Sequence, residues 1–310
     1  MKQIKSTRRS FRSVLTTTAA LAVIGVLAPA CGGDSDGSPA ASEAPATSVE
    51  APPQRIISLS PSHTEILFAI GAGDQVVAVD SMSNYPPESE AVLTDLSAFE
   101  PNVEAISEYQ PDLVVIGDDF SGLAGQLAAV GIDSWVQSAP TTLDEALQQI
   151  KDLGAVVGQV EGAADLADSM RTEIDGIVAA TEVPEQPITY FYELDNTLYS
   201  LTGNTFVGSL FELFGLRNIA DATEGDTDYP QLSAEFIVSQ DPDIIFLADT
   251  KCCGASKEEV ASRAGWESLS AVVSGNVVEL DDDIASRWGP RLVDLVRAIA
   301  DGLTTYSSTL

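Results

Sequence analysis

The residues best suited to chemistry in this 310-residue chain are few: one histidine, one pair of adjacent cysteines and a small set of arginines. His63 stands in Ser60-Pro61-Ser62-His63-Thr64-Glu65. A serine hydrolase would have to pair Ser62 with His63, because no other imidazole exists to act as base. The alternatives for His63 are a surface or capping side chain and a cleft residue that touches or ligates a ligand. No G-x-S-x-G turn and no P-loop occurs. Gly71-Ala72-Gly73-Asp74 follows a helical pattern and lacks a third glycine, so it is not a dinucleotide loop. Cys252-Cys253-Gly254 carries two vicinal thiols, which either close a strained eight-membered disulfide ring or stay free. They are read either as ligand contacts at a cleft mouth or as a structural turn. Two thiols and one distant imidazole lack the spacing of a zinc site, so no resident metal is expected. Arg287, in Arg287-Trp288-Gly289-Pro290-Arg291, either holds an anionic ligand group or pairs with a carboxylate such as Asp282 or Asp283.

The charge balance narrows the partners. Fifteen basic residues stand against 47 acidic ones, a net charge of −32. Such a surface repels phosphate backbones, which excludes nucleic acid. The 45% apolar content argues for a folded body of about two domains rather than a disordered chain.

Residues 1–30 read as an export signal: Lys2, Lys5, Arg8, Arg9 and Arg12 precede an apolar stretch from Leu15 to Leu27 that is short for a membrane span. Thr7-Arg8-Arg9-Ser10-Phe11 resembles a twin-arginine motif, so either export route is open. Leu27-Ala28-Pro29-Ala30-Cys31 resembles a lipobox, which makes Cys31 the expected lipidation site and new N-terminus. Losing the five positive charges takes the basic count from 15 to ten and the net charge from −32 to −37. Residues 31–53 are rich in Gly, Ser, Ala, Pro and Glu and read as a flexible tether. The chain is therefore expected at the outer face of the cytoplasmic membrane, anchored by lipid and working in water.

Short strands alternating with helices position the candidate residues. Arg55–Leu59 reads as a strand, and Ser60-Pro61 opens a helix, with Ser60 as cap and Pro61 at the first helical position. That helix runs to Ile70 and stops at Gly71. Val76–Val79 and Asp112–Ile116 are further strands, the latter continuously apolar as in a buried parallel sheet. One pattern recurs at an offset of 131 residues: Glu104-x-Ile106-x4-Pro111-Asp112 before one apolar strand, and Glu235-x-Ile237-x4-Pro242-Asp243 before another. The strands end at Asp118 and Asp249. Two similarly built α/β lobes are expected, at 54–158 and 185–310. Thr142 and Glu145 form a capping box, and a helix at 159–184 joins the lobes. Ile188–Tyr192 begins the second lobe, and Leu292–Leu303 is the last helix.

Arg55-Ile56-Ile57-Ser58-Leu59-Ser60-Pro61-Ser62-His63-Thr64-Glu65, then Asn84-Tyr85-Pro86-Pro87, then Asn102-Val103-Glu104 with Pro111-Asp112-Leu113-Val114, resemble the substrate-binding proteins of iron-siderophore and vitamin B12 ABC importers. The similarity covers residues 54–305 and is nearest to the vitamin B12-binding branch through Tyr85-Pro86-Pro87. The resemblance implies two doubly wound α/β lobes joined by one long rigid helix, with a ligand cleft between them. It implies a monomeric, non-enzymatic receptor that brings a cobalt or iron chelate to a permease dimer with its ATPase subunits. It matches Tyr85 to a cleft tyrosine, and Phe99 and Tyr229 to tryptophan positions of the vitamin B12 branch. Asp118 or a neighbour replaces another cleft tryptophan, and Trp288 lies near the final cleft loop. The expected ligand contacts are thus Ser60, His63, Tyr85, Phe99, Tyr229, Cys252, Cys253, Arg287 and Trp288. Glu104 and Glu235 match the two glutamates that dock on the permease, against a reading as solvated helix charges. Vitamin B12 or another corrinoid comes first as ligand, a ferric siderophore second, and haem third with His63 or Tyr85 as axial ligand. The expectations from other classes are an exported hydrolase and a purely structural lipoprotein.

Overall fold

Runs of four or so Ile, Val, Leu and aromatic residues form the central strands, where a parallel sheet buried on both faces accommodates such continuous apolarity. The computed structural model describes residues 51–309; the export signal and Cys31 lie outside the described residues. The first sheet contains β1 (Ile56–Leu59), β2 (Val76–Val79), β3 (Leu113–Ile116) and β4 (Ser134–Val136). Its helices are α1 (Pro61–Ala69), α2 (Val103–Glu108), α3 (Leu123–Ala129) and α4 (Leu143–Val157). After α5 (Val160–Ala180) come β5 (Thr189–Glu193), α6 (Phe206–Glu212), β6 (Arg217–Asn218), α7 (Ala234–Gln240) and β7 (Ile244–Leu247). Then follow α8 (Lys257–Ser262), α9 (Ser270–Ser274), β8 (Val277–Glu279), α10 (Asp282–Ala285) and α11 (Leu292–Thr309).

Both sheets are wholly parallel and share one topology, β2-β1-β3-β4 and β6-β5-β7-β8. In each, the direction of winding reverses between the first and third strands, so each lobe has a crevice at the carboxyl ends of that pair. The recurrent Pro-Asp step has one job in both lobes. Asp112 accepts the backbone N–H groups of Gln54 and Arg55 at 2.8 and 2.9 Å, where β1 begins. Asp243 accepts the Thr189 N–H at 2.8 Å, where β5 begins. Each carboxylate ties the third strand to the first and fixes their register.

One apolar core runs under both lobes, from Ile56 and Val115 through α4, α5 and α11 to Tyr190 and Phe246. α5 buries Ala163, Ala167, Met170 and Ile174, spaced at three and four residues along one face. Its 21 residues span about 31 Å. Its first turn is tightly seated: a Cβ at Gly154 would lie 2.2 Å from that of Ala163, and one at Gly162 would lie 2.4 Å from the Ile70 carbonyl oxygen. Separate cores fill the outer layers, around Ile106 and Leu127 in the first lobe and Trp266 and Ile237 in the second.

Three local expectations need correction. Ser60 stands at the start of α1, but its hydroxyl accepts no capping N–H and engages His63 instead. The α4 box closes one residue early: Thr142 accepts from the Glu145 N–H, while Glu145 bonds Thr141. The last helix continues to Thr309, since Tyr306 still packs on the shared core.

Candidate functional site

The crevice between β1 and β3 opens into a cavity of about 330 Å³. Ser60 follows β1 and Gly117 follows β3; a Cβ at Gly117 would stand 3.3 Å from the Ser60 hydroxyl, so glycine lets the two strand ends approach. Asp80 and Met82 come from the loop after β2, Phe99 from the loop before α2, and Asp118 and Phe120 from the loop after β3. The second lobe contributes Asp283, Ser286, Arg287 and Trp288. Phe99 is 87% exposed and Phe120 93%, an arrangement that leaves two aromatic faces free at the rim. Phe120 escaped the sequence reading, although an aromatic residue just past an acid-terminated strand is the signal that finds it.

Ser60, Phe99, Arg287 and Trp288 therefore come together in the cavity wall. His63 does not join them. It is fully buried behind the wall, with its ring edge-on to Trp135 and Trp288 at 5.3 and 5.7 Å. Its Nδ1 lies 2.8 Å from the Ser60 Oγ, and burial lowers its pKa to about 4, so the imidazole is neutral. The Ser62–His63 pairing expected of a hydrolase is not formed: Ser62 Oγ accepts from the Trp288 backbone N–H at 3.3 Å. Of the two alternative axial ligands for haem, His63 is enclosed, while Tyr85 is partly exposed with its ring over the Arg291 guanidinium at 4.2 Å.

Arg287 lines the cavity, but its charge is directed into protein. Its guanidinium donates to Glu65 at 3.0 Å, Asn84 Oδ1 at 2.9 Å, the Met82 carbonyl at 3.0 Å and Asp283 at 2.8 Å. Of its two readings, an anionic ligand group or a neighbouring carboxylate, the one formed here is the carboxylate pairing. Asp283 fulfils the carboxylate alternative, and Glu65 was missed. Glu65 is wholly buried on α1 and also receives Arg291 in a fork, at 2.6 and 3.1 Å. A side chain at Gly289 would press within 3.1 Å of Glu65, so the glycine admits the 287–291 loop to this contact. One carboxylate of the first lobe thus holds two arginines of the second, and Asn84 adds a bond to Asp283 at 3.2 Å.

The second lobe's edge is differently furnished. Cys252 and Cys253 are exposed free thiols, with sulfurs 2.7 Å apart. The hydrogen bond with Cys253 pushes the Cys252 thiol up to about 12, with burial and Asp282 adding. Asp282 accepts the Lys251 and Cys252 N–H groups at 3.0 and 2.8 Å and so pins this loop to α10. Behind it, Asp249 is fully buried with neither carboxylate oxygen bonded, and burial, then Glu193, raises its pKa to about 7. Glu193, the last residue of β5, is forked to Arg263 at 2.5 and 2.6 Å. Tyr229 is half-exposed. Neither it nor the cysteines line the 330 Å³ cavity. Among the described residues no three His, Cys, Asp or Glu side chains gather to hold a metal ion, and no helix is long and apolar enough to cross a membrane.

Glu104 and Glu235 occupy equivalent places, the second residue of α2 and of α7, capped by Asn102 and Ser233 respectively. Both are exposed.

The family model of the periplasmic binding proteins matches residues 56–284, which takes in both sheets and the cavity lining as far as Asp283. The chain belongs to this periplasmic binding protein family. Its relatives include the substrate-binding lipoprotein YvrC of Bacillus subtilis, an ABC transporter protein, at 30% identity over 81% of this chain and 80% of that one. They also include a cobalamin-binding protein of Halobacterium salinarum, 28% identical over 83% of this chain and 71% of that one. Among solved structures, the periplasmic vitamin B12-binding protein BtuF of Vibrio cholerae superposes with a TM-score of 0.68 at 28% identity, covering 83% of this chain and 99% of that one. Family membership makes the two-lobed frame an apparatus for binding, and the cavity at the first switch crevice offers a ligand an apolar surface with Phe99, Phe120 and Trp288.

Proposed function

We propose that the protein is the extracytoplasmic substrate-binding component of an ABC importer and that its cargo is a metal chelate, a corrinoid before a ferric siderophore. The observation that carries the reading is the apolar cavity between the lobes, with Phe99, Phe120 and Trp288 around it. Aromatic faces bury large area with few rotatable bonds, which suits a broad, flat ligand. The protein acts by binding, with no chemical step. The ligand enters between the lobes, and we read Tyr229, Cys252 and Cys253 as further contacts offered from the second lobe's edge. The boundaries 54–158, 159–184 and 185–310 divide it into the two lobes and the joining helix. Adding cyanocobalamin to the full chain is expected to quench Trp288 fluorescence and raise the melting temperature. An unchanged melting temperature at saturating cyanocobalamin and ferric siderophores would defeat the reading.

Glu104 and Glu235 dock on the permease. Two exposed, equivalent carboxylates on a pseudo-symmetric body suit a two-fold partner. Reversing both charges to arginine is expected to abolish uptake and leave ligand affinity within about twofold; normal uptake in the double variant refutes the docking. Cys31 carries the lipid that holds the chain at the membrane, so palmitate labelling should vanish in Cys31→Ala.

A further inference from the structure

The cavity's ionisable lining is Asp80, Asp118, Asp283 and Arg287. Arg287, the one cation among them, gives its donors to Glu65, Asn84, Met82 and Asp283. The other cations of residues 51–309 are equally committed or face elsewhere. Arg55 donates to the carbonyls of Tyr109 and Gln110. Lys151 pairs with Asp168, Arg171 with Asp144, Arg263 with Glu193 and Glu259, Arg291 with Glu65, and Arg297 with Glu173 and Asp294. Lys251, on the loop after β7, is held between Asp281 and Asp283. Arg217 stands at the start of β6, at the sheet edge away from the crevice. Lys257 lines a separate groove with Glu279 and Asp301. Asp118, by contrast, faces the cavity, and among the described residues its carboxylate has no ion pair or hydrogen bond.

An anion entering such a site sheds its water and meets carboxylates without a free counter-charge. A neutral ligand meets aromatic faces, and a cation gains Asp118. We infer that the cavity selects by charge, accepting neutral or cationic chelates and rejecting anionic ones, with Asp118 as the discriminating residue. This inference rests on the reading of the cavity as a chelate site.

The test is a fluorescence titration of the full chain with four probes: cyanocobalamin, which is neutral; ferrioxamine B, a cation; ferric enterobactin, a triple anion; and haemin, with its two propionates. The neutral and cationic probes are expected to bind about a hundredfold more tightly than either anion at low salt, and the cation's advantage should shrink as salt rises. Asp118→Asn should lower the affinity for ferrioxamine B relative to cyanocobalamin by about threefold or more, and Asp118→Lys should improve ferric enterobactin by about tenfold. Enterobactin or haemin binding as tightly as the other two overturns charge selection and leaves the receptor reading standing. An unchanged ratio in both Asp118 variants overturns the role of that residue. Failure of all four probes to bind overturns the receptor reading and the inference with it.

Discussion

In both lobes a Pro-Asp step ties the third strand to the first, through Asp112 and through Asp243, and in both an exposed glutamate stands at the second position of the preceding helix. At the carboxyl ends of the same strands the likeness stops. The first lobe's crevice holds a neutral His63, a close Ser60–Gly117 approach and Glu65, whose charge is met by two arginines from the other lobe. The second lobe's crevice holds an unbonded Asp249 beside Glu193, whose arginine comes from its own lobe. The amino-terminal ends are frame and keep one solution. The carboxyl ends face the cleft between the lobes, so each is shaped by what lies opposite, and the two differ.

The sharpest way to break this comparison is to remove the charge that crosses it. Glu65→Ala leaves the partly buried Arg291 without its carboxylate and the buried Arg287 with Asp283 alone, and is expected to cost about 3–5 kcal/mol in a denaturant titration. If the contact were dispensable, the loss would stay below about 1 kcal/mol.

The two buried titratable groups should tilt stability in opposite directions with pH. His63 stays neutral in the fold until about pH 4, whereas the unfolded chain protonates it near 6.5. Its contribution is complete above pH 6.5 and is lost as pH falls towards 4. His63→Phe keeps an aromatic ring between the two tryptophans and should flatten that acid limb by roughly 3 kcal/mol. Asp249 holds its proton in the fold up to about pH 7, whereas the unfolded chain releases it near 3.8, so stability falls as pH rises across that window. Asp249→Asn should remove the decline and stabilise the chain by about 2 kcal/mol at pH 8. Chemical denaturation at a series of pH values separates the two slopes, and slopes of the same sign would contradict the assignment.

The smallest effect concerns the shared frame. Asp112→Ala and Asp243→Ala should each cost about 1–2 kcal/mol. Losses that differ by more than about 1 kcal/mol would show that the two Pro-Asp ties are not equivalent.

How far the sequence could be read follows the same division. The repeat was legible because its parts are local: a glutamate, a Pro-Asp step and an apolar strand within one short segment. Strands β1, β2, β3, β5 and β7 were legible because a parallel sheet buried on both faces demands unbroken apolar runs, whereas β4, β6 and β8 are two or three residues long and carry no such run. The Glu65–Arg291 fork was not, since its partners are 226 residues apart and nothing in either segment names the other. His63 was set among possible ligand contacts for a similar reason. Its enclosure depends on Trp135 and Trp288 converging from different lobes, a fact of tertiary structure with no local trace. Arg287 stands out as one of few cations in so acidic a chain, but scarcity marks a residue as used without saying by whom.

The unbroken core beneath the two lobes bears on how the molecule comes apart. Two bodies joined by an exposed linker melt separately, each with its own heat-absorption peak. Here side chains of α4, α5 and α11 belong to one core shared with both sheets, so opening either sheet would expose surface that the other depends on. The calorimetric signature is one endotherm, with equal van't Hoff and calorimetric enthalpies, for a chain that looks divisible in two. A ligand that touches only the rim of the cleft then protects the amide hydrogens of both sheets alike, because the cooperative unit is the whole body rather than the lobe.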